Sequence, residues 1–381
     1  MKLNNDLQEM MRKASRLLQS GPKGLALNLV QRVLQRSLPG AIPTPRRPAM
    51  KDINPPPAGR ELPPAPEVAT PPDIPAFVAD LLNRFGARQP AATPPPATDE
   101  RGRFLSGTLS NAAGTRQYKL YVPAAYTGQA LPLVVMLHGC TQNPDDFAAG
   151  TEMNAQAERT PCFVLYPAQA KSANGSQCWN WFNAVDQQRE QGEPSIIADM
   201  TRKVMADYKV LAKQVYVAGL SAGGAMAAIM GSTYPELYAA VGIHSGLPYA
   251  AATDLMSAMQ AMRSGMNETR SARSLPSGSR PIIVFHGDHD KTVHPRNSEQ
   301  LIEQHVRNED PSTTENGRVP DGHAYTRTQH QKPDGSPLAE QWLIHGAGHA
   351  WSGGSSKGTY TDARGPHATR EMMRFFATQQ G

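Results

Sequence analysis

An α/β fold, with a mostly parallel sheet covered by helices on both faces, is what this sequence predicts for residues 99–381. Three observations predict it. Short apolar runs recur from about residue 104 onward, separated by longer segments of helical or loop character. Several runs are apolar throughout, the pattern of strands buried on both faces, where a half-buried strand would alternate. Many of the runs end in a glycine turn, as in "MLHG", "YVAG", "VFHG" and "LIHG". In open sheets of this class the working site lies beyond the C-terminal strand ends, and those ends carry His138, Ser221, His286 and His345.

Taken in order, "YKLYVP" (118–123), "LPLVVMLHG" (131–139) and "CFVLYP" (162–167) read as strands. "SIIADMTRKVMADY" (195–208) reads as a helix, because Ile197, Met200, Val204 and Tyr208 fall on one face. "QVYVAG" (214–219), "AAVGIHSG" (239–246), "PIIVFHG" (281–287) and "EQWLIHG" (340–346) read as further strands, and "ATREMMRFFATQ" (368–379) as a closing helix. Ahead of this domain, residues 1–38 read as a helical segment interrupted near "SGPKG", its two pieces suited to a short hairpin. Residues 39–98 form a proline-rich linker that holds 17 of the chain's 34 prolines and is too poor in apolar residues to build a core. Inside it, "AFVADLLNRF" (76–85) is a candidate docking helix.

The totals exclude several functions. The chain has 381 residues and a net charge of +5, with no basic stripe interleaved with aromatics, so no nucleic-acid partner is expected. No apolar run reaches roughly 18 residues, so no transmembrane segment is expected. Residues 1–18 lack the apolar stretch of a signal peptide, being broken by Asp6, Glu9, Arg12, Lys13 and Arg16. The cytoplasm is the expected compartment, with secretion by an atypical route as the alternative. The aspartates and histidines of residues 286–294 form no zinc-binding spacing, and neither metal nor cofactor is expected.

Chemistry concentrates in "QVYVAGLSAGGAMAAIM". Strand, tight turn and helix follow one another there, with Ser221 at the turn and Gly219, Ala222, Gly223, Gly224 and Ala225 around it. This is the context of a nucleophile elbow. The small neighbours permit the sharp turn, and the helix N-terminus offers orphan N–H groups to a developing anion. A second serine between glycines, "GSSKG" (354–358), has no strand before it and no helix after it. A serine needs a base, and the base needs an orienting acid. Asp288 and Asp290 follow the strand "PIIVFHG"; Asp290 is preferred because it lies further into its loop. His345 and His349 follow the strand "EQWLIHG"; His349, between glycines on a turn, is preferred to the strand-end His345. The order serine, acid, histidine is the one that accompanies a nucleophile elbow. The backbone N–H groups of Ala222 and Cys140 are the candidate oxyanion donors.

Taken together, "LHGCTQNPDDFA", "CWNWF", "GLSAGGAM", "GIHSGLPY", "HGDHDKTVHP", "GHAWSGG" and "YTDARGPHATREMMRFF" resemble the poly(3-hydroxybutyrate) depolymerase-type esterases of the α/β-hydrolase fold, over residues 107–376. The resemblance implies Ser221, Asp290 and His349 as the triad, and Cys140 and Ala222 as oxyanion donors. Feruloyl and acetylxylan esterases are relatives of that family and define the alternative substrates. Many polymer-degrading members are secreted and carry extra domains after the catalytic one. Here the extra region lies in front, and the chain looks more like the intracellular branch. Trp181 and Trp351 are the expected apolar wall for an acyl group, with core packing as the alternative for each. Cys140 and Cys178 lie where they could pair, although a cytoplasmic setting favours thiols. The N-terminal helices are expected to attach to a polyester granule or to another copy of the chain. A second class of reading is a non-catalytic granule-binding or scaffold protein on a hydrolase fold.

Overall fold

The computed structural model describes residues 102–267, 280–307 and 309–379. The helical segment, linker and docking helix expected before residue 99 lie outside these residues.

Ten strands form one sheet: β1 (Arg103–Asn111), β2 (Gly114–Val122), β3 (Leu131–Leu137), β4 (Phe163–Pro167), β5 (Val210–Leu220), β6 (Ala240–His244), β7 (Ile282–Gly287), β8 (Ser312–Arg318), β9 (Ala324–Gln331) and β10 (Pro337–Ile344). Their spatial order is β1-β2-β4-β3-β5-β6-β7-β10-β9-β8. The central strands from β4 to β10 run parallel, and antiparallel pairs extend both edges. A separate two-stranded parallel ladder joins β11 (Trp351–Ser352) to β12 (Thr361–Asp362).

Seven helices are described: α1 (Pro144–Thr151), α2 (Met153–Arg159), α3 (Gly192–Asp207), α4 (Ala222–Thr233), α5 (Leu255–Ser264), α6 (Arg296–His305) and α7 (Ala368–Ala377). Period-two alternation of buried residues divides the core between the two faces of the sheet. Leu133, Val135 and Leu137 of β3, with Val215 and Val217 of β5, pack with Ile197, Met200 and Val204 of α3 and with apolar residues of α4, α5 and α6. Val134 and Met136, with Tyr216 and Ala218, pack instead with α1, α2 and α7. Both faces are apolar, which is why the central runs do not alternate. On the second face, the Tyr216 ring stacks on Phe376 at 4.6 Å, and the Tyr216 hydroxyl donates to the Gln379 carbonyl at 2.9 Å. Burial of such side chains contributes about 2 kcal/mol each, so α7 is held by its Met372, Phe375 and Phe376 face.

Each strand expected from the sequence is present. The expected helix at 195–208 begins three residues earlier, at Gly192. The β8–β9 hairpin was not anticipated. "STTENGR" has no apolar alternation because its side chains are exposed on both faces at the sheet edge.

Candidate active site

Ser221 stands between β5 and α4 with φ 57° and ψ −119°. These values resemble those of the first central position of a type II′ turn, a region that an L-residue occupies only under strain. The turn needs two close backbone approaches. A Cβ on Gly219 would lie 2.3 Å from the Gly223 carbonyl carbon, and one on Gly223 would lie 2.0 Å from the Leu137 carbonyl oxygen. The Ser221 N–H donates to the His244 carbonyl at 2.9 Å, tying the turn to the end of β6.

β5, β6, β7 and β10 are successive parallel neighbours, so their following loops share one edge of the sheet. The loop after β7 carries Asp290 and the loop after β10 carries His349. His349 Nδ1 donates to Asp290 Oδ2 at 2.7 Å. Asp290 Oδ1 accepts the N–H groups of Thr292 and Val293 at 2.8 and 2.9 Å. Burial pushes the Asp290 carboxyl up, but His349 and His286 outweigh burial and hold it below the usual carboxylate range. It is therefore an ionised partner for the imidazole, and it fixes the hydrogen on Nδ1 so that Nε2 is the free basic atom.

The alternative acid and base form a second, parallel pair. His345 Nδ1 bonds Asp288 Oδ2 at 2.9 Å, and Asp288 Oδ1 accepts the Gly346 N–H at 2.7 Å. Burial opposes this, yet the His345 and Gly346 contacts bring the Asp288 carboxyl below its ordinary value. Asp288 and His345 therefore latch the loop after β7 to the loop after β10, separately from the Asp290–His349 pair. His345 Nε2 faces the Thr326 hydroxyl at 2.9 Å.

His244 was missed as a site residue, read only as the end of a strand. Its ring is fully buried between Trp351 and Phe285, and burial lowers its pKa well below the histidine range. The neutral Nε2 accepts the Ser352 N–H at 2.9 Å. One residue thus anchors both the Ser221 turn and the chain just after His349. The signal available was its place in "GIHSG", at the end of the strand beside the elbow.

The loop after β3 is held from several sides. The Gln142 side chain accepts the Gly139 N–H at 2.9 Å and donates to Asp146 and to the Thr359 carbonyl. His138, buried and lowered to about 4 by that burial, accepts the Gln169 N–H at its Nε2. The Trp179 indole donates to the His138 carbonyl at 3.1 Å. The N–H groups of Cys140 and Ala222 have no acceptor among the described residues, the condition an oxyanion donor must meet before substrate arrives. Cys140 is joined to Cys178 by a disulfide, where the compartment argument had favoured thiols. Cys162 is free and buried, as its strand position implied.

The expected tryptophan wall needs correction at Trp351. That side chain is 1% exposed, packs against Phe147 and His244, and donates to the Thr369 hydroxyl. Pairing of β11 with β12 turns it into the core, so it supports the chain just after His349 and offers no wall. Trp181 is 6% exposed and contacts Phe182 edge-on. Among the described residues, no group of three His, Cys, Asp or Glu side chains converges as a metal site would require, and no helix is long and apolar enough to cross a membrane.

The sheet order and strand–turn–helix at Ser221 define an α/β-hydrolase. The solved acetyl xylan esterase from Aspergillus awamori has this fold: it superimposes with a TM-score of 0.53 at 20% identity, over 72% of this chain and 99% of that one. The profile of the family described as "Esterase PHB depolymerase" matches residues 116–321, more than half of the sequence, and the chain belongs to that family. Poly(3-hydroxyalkanoate) depolymerase C of Paucimonas lemoignei is 34% identical over 260 residues, 64% of this chain and 60% of that protein. Feruloyl esterase B of Neurospora crassa is 29% identical, over 51% of this chain and 70% of that protein. For acetylxylan esterase A of Talaromyces purpureogenus the identity is again 29%, over 52% and 55%. The chain thus spans little more than half the length of two of these three relatives.

Proposed function

We propose that this protein is a serine carboxylic-ester hydrolase of the polyhydroxybutyrate depolymerase type, cleaving short aliphatic and 3-hydroxyalkanoate esters through an acyl-enzyme. The observation that carries the reading is the Asp290–His349 hydrogen bond on the same sheet edge as a strained Ser221. His349 Nε2 takes the Ser221 proton as the hydroxyl oxygen attacks the ester carbonyl. The tetrahedral oxyanion is received by the N–H groups of Cys140 and Ala222. Collapse expels the alcohol, which leaves with the proton held by His349. Water, deprotonated by the same imidazole, then releases the acid and restores Ser221. Asp290 stays ionised and stabilises the imidazolium.

Substrate size follows from what covers the site. Between β10 and α7 the chain forms only the short β11–β12 ladder, with no long apolar segment to close over an extended acyl chain. Across p-nitrophenyl acetate, butyrate, octanoate and palmitate, kcat/KM is expected to be highest at the short end. A palmitate optimum overturns the short-acyl reading. Comparison of a 3-hydroxybutyrate trimer with methyl ferulate and an acetylated xylan separates the depolymerase reading from the feruloyl and acetylxylan readings, which the similarity to those esterases keeps in view. No turnover of any ester would favour a non-catalytic scaffold or granule-binding role. We further propose that residues 1–98 attach the enzyme to a polyester granule or to a second copy; equal granule binding by full-length and truncated protein removes that role.

The acid assignment has its own test. Asp290→Asn is expected to lower kcat/KM by about three orders of magnitude or more, because the imidazole loses its orienting charge. Asp288→Asn removes only a latch between loops and is expected to cost about tenfold or less. The reverse order overturns the assignment of Asp290.

A further inference from the structure

Glu193, at the second position of α3, is a buried carboxylate that the mechanism above does not use. Its Oε2 accepts the Asn180 N–H at 2.7 Å. Its Oε1 accepts the Asn180 side-chain amide at 2.8 Å, the Gln169 amide, and the Arg116 guanidinium at 3.4 Å. Gln169 uses the same amide to hold the Cys178 carbonyl at 2.8 Å, and its own N–H holds the His138 ring. Every bond to the Glu193 carboxylate except that of Arg116 therefore leads, within one residue, to the segment 178–181 or to the strand end before Cys140. Cys178 in turn is covalently joined to Cys140.

A carboxylate in this position is unfavourable in itself. Burial and the neighbouring Asp186, whose Oδ1 accepts the Glu193 N–H at 2.8 Å, push the Glu193 carboxyl up to about 7. Among the described residues, Arg116 is the one cation that faces it. If packing were the only requirement, an apolar side chain would serve better. What the carboxylate provides is direction, since two oxygens receive four donors from three separate segments.

We propose that Glu193 is a positioning residue for ester hydrolysis, fixing the 178–181 segment and, through the Cys178–Cys140 bridge, the Cys140 N–H that receives the oxyanion. The proposal rests on the esterase reading of the site. A donor displaced by about 1 Å weakens stabilisation of the transition state much more than binding of the ground state, so the effect should fall on kcat.

The test uses the full chain, with kcat expressed per active site titrated by the p-nitrophenol burst, so that loss of folded protein is not counted. Glu193→Gln retains size and removes the charge; on p-nitrophenyl butyrate it is expected to lower kcat by about tenfold to a hundredfold with KM changed less than about threefold. Asn180→Ser, which removes the side-chain amide donor to Oε1 at a half-buried position and leaves only the main-chain N–H on Oε2, is expected to show the same split to a smaller degree and serves if Glu193→Gln does not fold. Dithiothreitol should reduce the Cys140–Cys178 bridge several times faster in either variant. A wild-type enzyme that turns over while a folded variant keeps its kcat per site within about threefold overturns the proposal. A wild-type protein that does not turn over at all overturns the esterase reading, and this role with it.

Discussion

Ser221→Ala is expected to abolish ester hydrolysis, lowering kcat by about four orders of magnitude or more, with the fold intact. The hydroxyl is the only group lost, and the burial pattern around it is unchanged. A triad stripped of its nucleophile retains only what the oxyanion donors and binding supply. Stability separates this residue from an ordinary serine. At φ 57° and ψ −119° alanine is as strained as serine, so Ser221→Ala should leave the denaturation midpoint nearly unchanged. Ser221→Gly should be equally inactive yet more stable, by about 1 kcal/mol, because glycine adopts this conformation without a Cβ penalty, though part of the gain is offset in the unfolded chain. Activity in the alanine variant above a few per cent of wild type would place the nucleophile elsewhere. An unchanged or lowered stability of the glycine variant would mean that the turn is not under strain.

The elbow was legible because its constraint is local. Small residues at 219 and 222–225 are demanded by contacts within one turn, and sequence displays such contacts directly. That the loops carrying Ser221, Asp290 and His349 meet was legible because parallel strands put their following loops on one edge. The choice between Asp288 and Asp290 depended on where two carboxyls point within a single loop, which spacing alone settles weakly; here both find a histidine, and the two pairs differ in which loop segment they fix. His244 carried no visible signal beyond its place at a strand end, since its role arises from contacts 108 positions apart, with Ser352. Trp351 was misread because adjacency to His349 in sequence suggested adjacency in the site, whereas the β11–β12 ladder turns the ring to Phe147. The β8–β9 hairpin escaped because an exposed edge strand lacks the apolar period by which strands are recognised. The disulfide was left open, weighed down by a compartment argument about surroundings that the geometry of the two loops does not share.

Gly223→Ala is expected to be among the most destabilising single-methyl additions in the domain, costing about 3 kcal/mol or more. The new Cβ would lie 2.0 Å from the Leu137 carbonyl oxygen and 2.6 Å from that of His138. Both obstacles are backbone at the end of β3, so no side-chain rotation relieves them. Restoring an ordinary contact requires α4 and the end of β3 to separate by about 1 Å, within a core packed as closely as a crystal. The same movement would part the Ala222 N–H, at the start of α4, from the Cys140 N–H, which follows β3. Folded Gly223→Ala should therefore also lose kcat per titrated site, and the loss of stability and the loss of rate would share one cause. Gly348→Ala is the matched control: a Cβ there meets nothing within 4 Å, although the position adjoins His349. Its denaturation midpoint should stay within about 0.5 kcal/mol of wild type. Equal destabilisation at the two positions would show that the approach of α4 to β3 is not what fixes the elbow.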